Sequence, residues 1–185
     1  YLGERELGIF AAMSYLMVVG SMVVSALAES ASPRLAKYYA AGNSTAFRTL
    51  LLKLVGVGLM LGTAGVFVAV VAGKPILTLL YTPEYAERAD LFAWLMVAAG
   101  MGYVSSFLGY GMTAARYFRV QMPLFVLVTG SCAIACFWLI PTQGVRGAAI
   151  ALIVGAIVQI VFTLGVIVHA LQRLNKYQRT KSNID

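Results

Sequence analysis

Apolar residues in this chain come in long, almost unbroken runs. Five stand out, at residues 7–28, 54–73, 91–115, 120–140 and 147–171, and none of them contains Asp, Glu, Lys or Arg. A bilayer hydrocarbon core of about 30 Å is crossed by about 20 mostly apolar residues in helical form. A helix also satisfies its backbone hydrogen bonds within one segment, as a chain in lipid must. The pattern predicts an all-α integral membrane protein with five transmembrane helices.

The polar interruptions predict the connections. Residues 29–53 form the longest, with Arg34, Lys37, Arg48 and Lys53. Within it Pro33 falls past the end of the first span, where a missing backbone N–H does little harm. Gly42-Asn43-Ser44 reads as a turn, with Asn43 or Ser44 capping the approach to the second span. Lys74-Pro-Ile-Leu-Thr-Leu-Leu-Tyr81 is apolar with a polar edge and predicts a short interfacial helix. Thr82-Pro83-Glu84 has the order of a cap, a first-turn proline and a first-turn acid, and opens the third span. Pro141-Thr-Gln-Gly144 predicts a tight turn, and the basic tail from Arg173 is expected to fray beyond Tyr177.

Composition agrees with lipid as the solvent. Hydrophobic residues make up 61% of the 185 residues and charged residues 11%, against about 25% charged in soluble domains. The net charge of +7 raises nucleic acid as a partner. However, most of the cations flank apolar runs, as topology signals and headgroup anchors do. No nucleic-acid partner is therefore expected, and membrane lipids are. Cys132 and Cys136 lie four apart in one run. They have no His or carboxylate beside them, so they read as packing residues and not as a metal site.

Charge also fixes sidedness, because Lys and Arg beside a span resist translocation. With residues 29–53 inside, alternation puts Arg34, Lys37, Arg48, Lys53, Arg116, Arg119, Arg173, Lys176, Arg179 and Lys181 inside. Only Arg5, Lys74, Arg88 and Arg146 are left outside, with Glu4, Glu6, Glu84, Glu87 and Asp90. The C-terminus is then cytoplasmic and the N-terminus external. An external start at Tyr1 without a signal-peptide pattern suggests that earlier spans precede it.

Polar residues inside the spans form stripes. Tyr103, Ser106, Tyr110 and Thr113 recur at helical spacing and share a face. Ser21, Ser25 and Glu29 form a second stripe, and Gln159 and Thr163 continue the small-residue ridge Gly147, Ala151, Gly155. Such residues can line a cavity for hydrophilic cargo, or bond their own helix carbonyls and fill gaps between helices. Gly58 and Gly62 have the G-x-x-x-G spacing of a close helix contact. Arg34, Lys37 and Lys53 can collect an anionic headgroup or simply snorkel. His169, at the end of the last span, reads as an interfacial residue. There is no second His, no acidic pair within a span and no nucleophile or phosphate-loop motif, so no catalytic residue is assigned and the protein is not expected to be an enzyme.

Five segments together resemble a known family. They are Leu7-Gly-Ile-Phe-Ala-Ala12, Ser32-Pro-Arg-Leu-Ala-Lys-Tyr-Tyr39, Leu79-Leu-Tyr-Thr-Pro-Glu-Tyr85, Ala114-Ala-Arg116 and Gly144-Val-Arg-Gly-Ala-Ala-Ile-Ala151. They resemble the Wzx-type O-antigen and exopolysaccharide flippases of the multidrug/oligosaccharidyl-lipid/polysaccharide (MOP) superfamily. The resemblance implies a two-lobed bundle of twelve or more helices. This chain would supply most of its C-terminal lobe, as the eighth to twelfth helices, with the N-terminal lobe as partner. It further implies alternating-access movement of an undecaprenyl-pyrophosphate-linked oligosaccharide across a bacterial or archaeal cytoplasmic membrane. No cofactor is expected, and a coupling ion or proton is compatible with such transport. The five spans hold no cation for the pyrophosphate, so any contribution from this chain must come from the rim, where Lys53 lies. The alternatives are a multidrug or lipid II exporter of the same superfamily, a membrane-embedded glycan polymerase or acyltransferase, or a structural anchor. The polymerase or acyltransferase needs a catalytic array the short external loops do not offer, and an anchor has no need of the Tyr103 stripe.

Overall fold

A computed structural model describes residues 4–80 and 89–182. They form five helices: α1 Glu4–Ala40, α2 Ser44–Leu80, α3 Ala89–Ala114, α4 Phe118–Gln143 and α5 Val145–Ser182. All five are long and apolar enough to cross a membrane. The fold is all-α, as the apolar runs predict, but helix ends and span ends do not coincide.

The first two helices are the clearest case. Each has 37 residues, or about 55 Å at 1.5 Å per residue, well beyond a 30 Å core. The expected 29–53 loop is therefore almost wholly helical, and Pro33 lies inside α1 instead of beyond it. Its side chain is exposed, which lessens the cost of the lost bond. What keeps these extensions helical is burial. Leu35, Phe47 and Leu51 pack with Val104, Leu108, Met112 and Ile167 in one apolar cluster, so the end of the uncharged run does not end the helix.

The turn itself has three residues. Gly42 has φ 72°, Gly42 N–H bonds Tyr39 O at 3.0 Å and Asn43 N–H bonds Tyr38 O at 2.9 Å. This pair of hydrogen bonds closes α1 with glycine in the left-handed position. Asn43 Oδ1 then accepts Ala46 N–H at 2.9 Å, so Asn43 is the cap of α2.

Other boundaries shift for similar reasons. Residues 74–80 continue α2 through Pro75 and do not form a separate interfacial helix, with Leu77 fully buried. The Thr82-Pro83-Glu84 cap lies outside the described residues. Pro141 to Gln143 finish α4, leaving the turn to Gly144 at φ 59°. The basic tail stays helical to Ser182 and does not fray at Tyr177.

α3 is the central helix. It is buried over more than half of its apolar window, whereas α4 is buried over very little. Glycines set its approach to α2: a Cβ on Gly62 would lie 2.6 Å from Gly100 Cα, so the two backbones meet where neither has a side chain. Gly58 faces Phe107 and Tyr103, and the G-x-x-x-G pair is thus a seam within this chain. The α5 ridge packs on α4, with Gly147 against the Leu139 carbonyl and Gly155 against Cys132.

One end of the bundle gathers the α1–α2 and α3–α4 turns, with Leu35, Phe47 and Ala115 in one cluster. Arg34, Lys37, Arg48 and Arg116 beside these turns make it the basic end. The opposite end clusters Ile9, Leu77, Leu91 and Val145, and Asp90 pairs there with Arg146 of α5.

Candidate functional site

Between α1, α3, α4 and α5 lies a cleft of about 800 Å³. Ser21, Tyr103, Ser106 and Gln159, predicted from three separate stripes, all line it. No charged side chain does. The side chains of Ser106 and Gln159 make no hydrogen bond among the described residues, and their polar groups remain available to a guest. Ser21 Oγ donates to Val18 O at 2.7 Å, which occupies its proton but leaves its oxygen able to accept.

Tyr103 forms a wall. Its hydroxyl donates to Met17 O at 3.3 Å across Gly20, where any Cβ would collide with that hydroxyl. Gly20 is thus what admits the ring, a role invisible before α1 and α3 are placed together.

The other half of the α3 stripe is covered. Tyr110 donates to Glu29 Oε1 of α1 at 3.4 Å. Thr113 donates to Gly109 O at 3.0 Å and accepts from Gln121 Nε2 of α4 at 3.4 Å. The four residues do share a face, but successive turns of α3 meet different neighbours. Tyr103 and Ser106 reach the cleft; toward the basic end, Tyr110 and Thr113 are met by α1 and α4. Ser25 is half-buried and does not line the cleft, and Thr163 is fully buried with an unpartnered hydroxyl among the described residues.

The sequence stripes missed Ser14, Thr129 and the two cysteines, all of which line the cleft. Ser14 is two helical turns before Ser21 on the same face, and Thr129, Cys132 and Cys136 repeat at helical spacing on α4. Both signals were present in the sequence. Among the described residues no cluster of His, Cys, Asp and Glu could hold a metal ion.

At the basic end, Arg34 and Lys53 line a second cleft of about 620 Å³ with Tyr38, Asn43, Thr45 and Thr49. Lys37 is exposed but does not line it. His169 is exposed on α5.

Among curated proteins, the chain is similar to the capsular polysaccharide biosynthesis protein CapF of Staphylococcus aureus, with 26% identity over 161 residues. The aligned stretch covers 86% of this chain but only 40% of that relative, so the chain spans well under half of its length. No protein-family profile and no solved structure match the chain.

Proposed function

We propose that this chain is part of a transporter that moves a lipid-linked oligosaccharide across the cytoplasmic membrane, as the C-terminal lobe of a MOP-type flippase. The observation that carries the reading is the uncharged cleft, where Ser106 and Gln159 present unpartnered hydrogen-bonding groups inside an otherwise apolar bundle. Sugars offer dense hydroxyl donors and acceptors and no net charge, which suits such a lining. The similarity to a protein named for capsular polysaccharide biosynthesis supports a glycan as the cargo. No nucleophile is paired with a base in the cleft, and the chemistry proposed is binding and release, not catalysis.

In this reading the basic end faces the cytoplasm, and Arg34 and Lys53 meet the pyrophosphate at the rim while the glycan enters the cleft. The contacts of Tyr110 with Glu29 and of Thr113 with Gln121 lie between the two. They tie α3 to α1 and α4 where the cargo must pass, and alternating access requires them to open. The other lobe completes the cavity.

The test is glycan export in cells. Gln159→Leu and Ser106→Ala remove the polar groups without adding bulk to the cleft. They are expected to lower surface glycan at least about tenfold together, if each lost hydrogen bond costs about 1 kcal/mol. The double charge reversal Arg34→Glu, Lys53→Glu is expected to stop export while protein level in the membrane holds. Normal export by both sets of variants would rule the reading out.

A further inference from the structure

The first turns of α2 are flanked by two hollows. One is the cleft that holds Arg34 and Lys53. On the other side, a groove of about 830 Å³ runs between α2 and α5 with α3 as its floor. Thr45 and Thr49 line both, so the hollows share a rim. The groove has no lining residue in common with the α1–α3–α4–α5 cleft.

Its lining is graded. Arg48 and Gln172 stand at the basic end, and beyond them Leu52, Val55, Ile160 and Leu164 make the walls apolar. From Ser44 to Val55 is eleven residues, or about 16 Å along the helix. That is one leaflet of a hydrocarbon core about 30 Å thick. α2 and α5 hardly touch directly, so the groove is a gap between two helices joined mainly through α3. Leu52, Leu164 and Val168 are 57%, 43% and 51% exposed along it. At its rim Arg34, Arg48 and Lys53 have no ion pair among the described residues.

We propose that this groove holds one chain of an anionic membrane lipid from the leaflet at the basic end, its phosphate resting on the rim between Arg48 and the Arg34–Lys53 cleft. The occupant is a resident lipid that fills the space between α2 and α5. The inference needs only that the bundle spans a membrane, and not that its cargo is a glycan. Another protein helix would fill the apolar part equally well, but it leaves three cations without a counter-charge. A lipid of the right leaflet supplies the chain and the charge together, in the order the groove presents them.

The experiment uses the protein as the cell makes it, purified from bilayers of equal phosphatidylglycerol and phosphatidylcholine with matched chains. Retained lipid is counted by native mass spectrometry. Phosphatidylglycerol is expected to be retained in preference to phosphatidylcholine. Arg48→Gln is expected to lower that retention about fivefold, the effect of one basic residue at an anionic surface. Leu164→Trp, which fills the groove, is expected to release the lipid, and Arg119→Gln, away from the groove, to change nothing. Equal retention of both lipids overturns the proposal, as does unchanged retention in both groove variants. Cross-linking of a Leu164→Cys variant to another segment of the protein also overturns it, because the groove is then filled by protein.

Discussion

Arg116 adopts φ 62°, in the left-handed region. Its N–H bonds Thr113 O at 2.9 Å and Tyr117 N–H bonds Met112 O at 3.3 Å, the same double closure that Gly42 gives α1. At Gly42 the residue suits the geometry; at Arg116 it does not, because a side chain in this region crowds the following carbonyl. Arg116→Gly is therefore expected to stabilise the purified protein by about 1 kcal/mol, read as a higher thermal unfolding midpoint. An unchanged or lower midpoint would mean that the arginine side chain contributes as much as the backbone loses. A cation beside a span also resists translocation, which gives a reason for arginine to stand where glycine fits better.

Helices here meet where side chains are absent. Gly62 and Gly100 bring α2 and α3 together backbone to backbone, and a leucine at Gly62 must push the helices apart. Gly62→Leu is expected to cost about 1–3 kcal/mol, as overpacking does, whereas Gly56→Leu, with open space around its Cβ position, is expected to be nearly neutral. Thermal unfolding of the two variants side by side checks this, and equal midpoints would deny the seam. The Gly58–Gly62 spacing announced this contact in the sequence, although not its partner. The five spans were legible because lipid demands uncharged runs of that length. The helical extensions were not, since charge marks only where the uncharged runs stop, and Leu35, Phe47 and Leu51 continue the helices on contacts with α3 and α5. The candidate site was half legible for a related reason. Periodicity assigns Tyr103, Ser106, Tyr110 and Thr113 to one face, but only the placement of α1 and α4 decides which turns of that face are covered.

Sidedness belongs to the molecule as a whole and unites the cleft, the rim and the groove. The α1–α2 and α3–α4 turns share one end of the bundle, and the α4–α5 turn at Gly144 lies at the other. If ten of the 14 Lys and Arg residues hold their loops in the cytoplasm, the basic end faces inward. In a background with Cys132 and Cys136 replaced by Ala, Thr142→Cys is then expected to react with a membrane-impermeant maleimide added outside intact cells. Ala41→Cys and Tyr117→Cys are expected to react only after the membrane is opened. The reverse pattern would put Arg34, Arg48 and Lys53 at the outer surface, where a cargo arriving from the cytoplasm could not meet them first. It would leave the cleft and the groove in place, but the lipid at the rim would then come from the outer leaflet. The order of events in the proposed transport depends on this one measurement more than on any single residue of the cleft.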